Sequence, residues 1–229
     1  MRKLTALLFA FVLIVSLVGC TYKPELLGTY ETKINLSESV IANFGKGAGL
    51  SDSAFSLKYY LKDFSVVLRF TFREDGSYQV SVDRDSLQTA VDSLKTAVAS
   101  MIDDYVFVAL KQQYSDYGIN LENRADAETL VNTTWEELYV SVLGMSLSEY
   151  ADSMISDSFA DVLTAEYCSE GKYLAKEGML HLSESLTAEP SEEIYECYQI
   201  SGNTVTFTEG VNLEANTLIP YPYTMTKIS

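Results

Sequence analysis

The chain has 229 residues, with 16 basic side chains against 32 acidic ones and a formal net charge of −16. No basic patch offsets this balance, which excludes nucleic-acid binding and charge-driven attachment to anionic headgroups. Sixteen tyrosines and ten phenylalanines predict an aromatic, β-rich interior, while one histidine and three cysteines leave little material for zinc sites or histidine-dependent nucleophiles.

The opening run is MRKLTALLFAFVLIVSLVGC. Arg2 and Lys3 form a basic head, and Leu4 to Val18 is an uncharged apolar stretch, too short for a comfortable membrane span and built like an export signal. Leu17-Val18-Gly19-Cys20 resembles the lipobox of bacterial lipoproteins. That resemblance implies a signal peptide over residues 1–19, lipidation of Cys20, and a lipidated tether over 20–25. A diacylglyceryl group would supply the second chain that stable anchoring requires. The expected location is extracytoplasmic, lipid-anchored to the outer face of the bacterial cell membrane, with the membrane a partner through Cys20. Loss of residues 1–19 leaves 210 residues with 14 basic and 32 acidic groups, a balance of −18. The competing readings are an uncleaved signal anchor and a cut elsewhere that leaves Cys20 an ordinary residue.

Leu26 to Leu36 reads as a first strand, followed by irregular chain to residue 62 with a short helix near Glu38 to Phe44. Gly45, Gly47 and Gly49 surround Lys46, but the Gly-Lys-Ser/Thr ending of a phosphate cradle is missing, so this stretch reads as a flexible loop. Val66, Leu68, Phe70 and Phe72 alternate with polar neighbours, Glu74-Asp75-Gly76 supplies a turn, and Tyr78, Val80 and Val82 resume the alternation: a hairpin. At Asp83 the period changes to three and four, through Leu87, Ala90, Val91, Leu94, Ala97, Val98, Met101, Ile102, Tyr105 and Ala109, predicting a long helix ending near Gly118. Thr134 with Glu137 and Ser146 with Glu149 have capping-box spacing, so two further helices begin there. The second, Leu147 to about Ala165, carries Tyr150, Met154, Phe159 and Val162 toward a partner. Five short strands then follow, at 172–176, 179–183, 193–200, 204–208 and 223–228.

Eight short antiparallel strands can close into a barrel. The fold class is therefore α+β: a β domain over residues 26–83 and 167–229, with an α-helical insertion over 84–166 between strands three and four. Leu27-Gly28-Thr29-Tyr30, the hairpin Phe70 to Tyr78, and Tyr198 to Phe207 together resemble lipocalin-like domains of bacterial lipoproteins. The resemblance covers both β-rich flanks and not the middle. It implies an antiparallel barrel or half-barrel that binds rather than turns over, and it hands over no catalytic residues or cofactor.

The expected interior face is Leu68, Phe70, Phe72, Tyr78, Val80, Ile200, Val205 and Phe207, and its bulk favours a filled barrel. Phe70, Phe72, Tyr78 and Tyr198 are thus core first and ligand-lining second. Cys168 and Cys197 admit either a disulfide or two separate thiols. His181 reads as an outward-facing strand residue, Asp103 and Asp104 as neighbouring helix acids pointing apart, and Glu136-Glu137 and Glu192-Glu193 as solvated or capping acids. No metal site or cofactor is expected. The leading expectation is noncatalytic binding of a small apolar ligand or envelope component. The alternative is a solid barrel whose helical insertion docks an envelope protein, and a third class is a hydrolase of envelope polymers.

Overall fold

The computed structural model describes residues 25–48, 55–155, 158–212 and 219–229. Residues 1–24, which hold the expected signal peptide, Cys20 and the expected tether, lie outside the described residues. Eight strands, β1 (Gly28–Asn35), β2 (Ser65–Phe72), β3 (Ser77–Val82), β4 (Ser169–Lys176), β5 (Met179–Leu182), β6 (Tyr195–Ser201), β7 (Thr204–Val211) and β8 (Tyr223–Lys227), form a closed barrel. Each strand pairs antiparallel with the next, and β8 returns to β1 through Tyr30 opposite Lys227 and Glu31 opposite Thr226.

Alternation sends Tyr30, Ile34, Val66, Leu68, Phe72, Tyr78, Val80, Tyr173, Leu180, Tyr198, Val205, Phe207 and Met225 to a buried interior. Phe72 packs edge-on against Tyr30 and Tyr173 at 5.9 and 4.9 Å, and Phe207 stacks on Tyr223 at 4.7 Å. The interior is built of large rings in contact, as expected for eight strands enclosing bulky residues. Ile200 departs from expectation: it is 49% exposed. The ladder between β5 and β6 covers only Met179–Cys197 and Leu180–Glu196, and beyond the Tyr198 N–H bond to the Gly178 carbonyl β6 has no ladder partner on that side. The register also shifts between Cys197 and Tyr198.

The two ends of the barrel differ. At one end lie the tight turns 73–76, 177–178 and 202–203; at the other lie the connections 36–64, 83–168, 183–194 and 212–222. The N-terminal segment plugs the tight-turn end. Leu26 is fully buried, its carbonyl accepts the Tyr173 hydroxyl at 2.8 Å, and Glu25 accepts the Tyr198 hydroxyl at 2.6 Å. Gly28 has φ +109°, and a Cβ there would come within 2.1 Å of the Ser229 carbonyl oxygen. Glycine at the first strand is thus required for barrel closure.

The remaining elements sit at the long-connection end. Helix α1 (Ser37–Ala48) and a 3-10 turn (Leu57–Tyr59) join β1 to β2. Gly45 and Gly47 fall within α1 rather than in a loop, while residues 49–53 of the glycine-rich stretch lie outside the described residues. The insertion holds α2 (Arg84–Ser115), α3 (Arg124–Val131), α4 (Trp135–Leu143), α5 (Leu147–Met154) and α6 (Phe159–Tyr167).

Asp83 caps α2 by accepting from the Ser86 N–H, and the buried stripe follows the predicted positions from Leu87 to Ile102. Its continuation differs, for Val106 is buried and Tyr105 is 53% exposed. Both predicted capping boxes form, at Thr134/Glu137 and Ser146/Glu149. A third, Asn123/Asp126, starts α3, which a search for Ser/Thr with Glu does not find. The expected single helix from Leu147 is two, because the backbone at Ile155 is extended. As a result Leu163, and not Val162, faces inward, and Val162 is 60% exposed.

Candidate ligand-binding site

Two adjoining clefts lie at the long-connection end. The first, about 610 Å³, lies between α1 and α6 above the barrel. On α1 the stripe Val40 and Phe44 continues from Leu36 at a spacing of four, with Ser39 and Asn43 beside it. On α6 Phe159, Leu163 and Tyr167 repeat the same spacing and face it, and Leu94, Met154 and Ile155 line the remainder. Phe159 rests edge-on against fully buried Phe64 at 6.0 Å, which seats α6 on the rim of the barrel. Glu166 is the charged group at this cleft.

The second cleft, about 960 Å³, opens at the seam between β1 and β8. β8 reaches β1 only at Tyr30 and Glu31, so Thr32 to Asn35 have no ladder partner on that side. Leu36, Ser39 and Tyr167 line both clefts, which are therefore neighbours.

A half-buried acid accounts for the seam. Glu196 pairs with Leu180, an inward residue, and therefore points into the barrel. One of its oxygens accepts the Tyr221 and Tyr223 hydroxyls, at 2.5 and 2.8 Å. These bonds hold the start of β8 toward β6 and away from the upper half of β1. Burial pushes the Glu196 carboxyl above its ordinary value, against the lowering effect of the two phenols. Burial and the neighbouring carboxylate push Tyr221 and Tyr223 well up, so both stay protonated donors.

Phe70, Phe72, Tyr78 and Tyr198 line neither cleft and are buried in the barrel core, with the Tyr78 hydroxyl donating to the Ser183 carbonyl at 3.0 Å. The core role considered first for them is the one they fill. The lining of the cleft was missed because its α1 and α6 stripes are short and separated by more than a hundred residues; the four-residue spacing of Leu36, Val40 and Phe44 was the available signal.

Cys168 and Cys197 are free thiols, which corrects the disulfide alternative. Cys197 lies in register with Met179, which pairs with Lys176, eight residues along β4 from Cys168. At about 3.3 Å per residue that places the thiols some 26 Å apart, far beyond disulfide reach. His181 does point outward, but it is buried, because the 183–194 connection folds over it. Its Nδ1–H donates to the Ser191 carbonyl at 2.9 Å and its ring tilts on Tyr195.

Asp103 and Asp104 do not point apart: both accept from Nη2 of Arg124, which reaches back from α3. Asp103 also accepts from Trp135 Nε1 at 2.6 Å and from the Tyr139 hydroxyl, and Asp104 accepts from Tyr60 at 3.0 Å. Burial raises the Asp103 carboxyl, and the Trp135, Tyr139 and Arg124 bonds more than reverse this, leaving it below its ordinary value. This cluster ties α2, α3 and α4 together and uses the acids structurally. Among the described residues no group of three or more histidine, cysteine, aspartate or glutamate side chains could hold a metal ion. Comparison with protein-family models, with curated proteins and with solved structures gives no match to this chain.

Proposed function

We propose that the protein is a membrane-anchored extracytoplasmic lipoprotein that binds a small apolar ligand without turning it over, and that the ligand sits between α1 and α6 rather than inside the barrel. The observation that carries this reading is the cleft of about 610 Å³ walled by facing apolar stripes, a volume within the ~300–1,000 Å³ range of small-molecule sites. The barrel interior is occupied by its own aromatic rings and serves as the platform.

The anchor reading gives the molecule an orientation. With Glu25 and Leu26 bound into the tight-turn end, the stretch from Cys20 to Glu25 extends no more than about 18 Å. A lipidated Cys20 therefore keeps the tight turns near the headgroups and the cleft on the side away from the membrane.

Native mass spectrometry of a Cys20→Ala chain incubated with a cell lipid extract tests the binding. A bound species displaced by apolar competitors is expected, and a clean unliganded spectrum overturns it. Intact mass of the membrane-extracted protein tests the anchor: a diacylglyceryl increment at Cys20 is expected, and an unmodified sulfur refutes it.

A second reading has its own observation. Tyr105, Ala109, Val142 and Tyr150 of the insertion, with Phe55 of the β1–β2 connection, line an apolar groove of about 480 Å³, where Tyr105 and Val142 are 53% and 58% exposed. Photocrosslinkers at these two positions that capture an envelope protein in cells would favour docking by the insertion.

A further inference from the structure

We infer that the cleft at the β1–β8 seam receives an extended polypeptide strand from a partner protein, held by main-chain hydrogen bonds to β1 and by an acidic side chain at Lys62. This goes beyond ligand binding between α1 and α6 and does not depend on it. Two sheet edges face each other across the seam. The β8 ladder to β1 stops at Glu31 opposite Thr226, while β1 keeps β2 as a partner up to Asn35 and β8 keeps β7 back to Tyr223. Peptide groups alternate sides along a strand. The Thr29 N–H and carbonyl bond to Ser229 and Ile228, and the Leu36 N–H bonds to the Phe64 carbonyl on the β2 side, so the main-chain groups of Lys33 and Asn35 turn to the seam. On β8 the Lys227 N–H bonds to the Asn203 carbonyl on the β7 side, so the opposing groups are those of Thr224 and Pro222. Pro222 falls opposite Asn35 in the register set by Glu31 and Thr226, and proline has no N–H to continue that ladder.

The edge from Thr32 to Asn35 spans about 13 Å and presents amide donors and acceptors at the strand repeat, which an extended polypeptide matches. Ile219, Pro220, Pro222 and Tyr223 give the facing wall an apolar part, so the incoming strand alternates apolar and polar residues. Charge adds the third requirement. The lining holds two lysines, Lys33 and Lys62, against one acid, Glu38, in a chain with twice as many acids as bases. Lys33 is held by Asp63 at 3.3 Å, whereas Lys62 donates to the Tyr59 carbonyl at 3.1 Å and, among the described residues, no ion pair engages it. Lys62 stands just before Ser65, the register partner of Asn35, so the acid belongs at the Asn35 end of the strand.

The test selects binders to the Cys20→Ala chain from a displayed library of random peptides and follows backbone amides by nuclear magnetic resonance. In the free protein Thr32 and Ile34, whose N–H groups face β2, should exchange slowly and Lys33 and Asn35 fast; equal protection of all four overturns the open edge. Selected peptides should alternate apolar and polar residues, carry an acid, slow the exchange of Lys33 and Asn35, and lose about tenfold or more in affinity when the amides facing β1 are N-methylated. Lys62 is exposed, so Lys62→Glu should weaken the same peptides about tenfold at an unchanged melting temperature, and Lys62→Gln gives the comparison should that variant melt early. A library that yields no binder, binders that leave Lys33 and Asn35 unprotected, or equal binding by the N-methylated peptides overturns the proposal. Binding that ignores both Lys62 variants overturns the acidic assignment. Protection of Lys33 and Asn35 that rises with protein concentration, without peptide, assigns the edge to a second copy and overturns the partner strand.

Discussion

Tyr198 donates its hydroxyl proton to Glu25 at 2.6 Å, joining residues 173 positions apart. The bond links β6 to the segment that plugs the tight-turn end, and Glu25 also accepts from the Glu177 N–H at 3.1 Å. The Tyr198 hydrogen bond is the main cause of the lowered Glu25 carboxyl. A carboxyl lowered in the folded state stabilises above its unfolded value and loses that contribution as pH falls through the folded one.

Tyr198→Phe keeps the ring packed against Phe207 and removes only the bond. It should cost about 1 kcal/mol in urea melts at pH 7 and less at pH 3, because the bond to the charged carboxylate weakens as Glu25 takes up its proton. Equal losses at the two pH values would refute the pairing.

Glu196 has the opposite sign. Its carboxyl is raised by burial, so the folded state holds its proton more tightly than the unfolded one, and stability falls as pH rises from the ordinary glutamate value toward the folded value. Glu196→Gln keeps an acceptor for Tyr221 and Tyr223 without an ionisable group. The variant should match or exceed the parent in stability at pH 7 and lose the parent's decline across the weakly acidic range, as read from denaturation midpoints. A variant less stable at pH 7 than at pH 4 by as much as the parent would remove Glu196 as the source.

Gly28→Ala places a methyl group within 2.1 Å of the Ser229 carbonyl oxygen at φ +109°. Thr29 and Ser229 exchange the backbone contacts that finish the β1–β8 seam, at 2.9 Å from the Thr29 N–H. A loss of about 2 kcal/mol or more is expected, with hydrogen exchange accelerating first in β1 and β8. A neutral substitution would mean that closure does not depend on this approach.

Asp103→Ala strips the acceptor from Trp135, Tyr139 and Arg124 together. Arg124 would keep Asp104 alone, with its Nε already lacking a partner. About 2–4 kcal/mol should be lost. Exchange protection should fall over residues 124–154 while β2, β3 and β7 keep theirs, because the cluster's partner outside the insertion, Tyr60, lies in the β1–β2 connection and not on a strand. Uniform loss over the whole chain would show instead that insertion and barrel unfold as one unit.

Local pattern carried much of this architecture. The two-residue alternation from Val66 to Val82, the three-and-four stripe from Leu87 to Ile102, and the capping boxes at Thr134 and Ser146 are properties of neighbouring residues, and each element formed where its pattern stands. The large side chains at Phe70, Phe72 and Tyr78 also foretold a filled barrel, because bulk at inward positions is additive in volume. What the tertiary structure alone decided concerns residues remote in sequence. The inward turn of Glu196 depends on its register with Leu180 and on tyrosines 25 and 27 positions away, the burial of His181 on a connection folding back over it, and the separation of Cys168 from Cys197 on an intervening strand. The cleft belongs with these, since its walls come from α1 and α6 and meet only because both helices are seated at the same end of a closed barrel. Periodicity records which face of an element is apolar; which other face it meets is set by closure, connection length and packing.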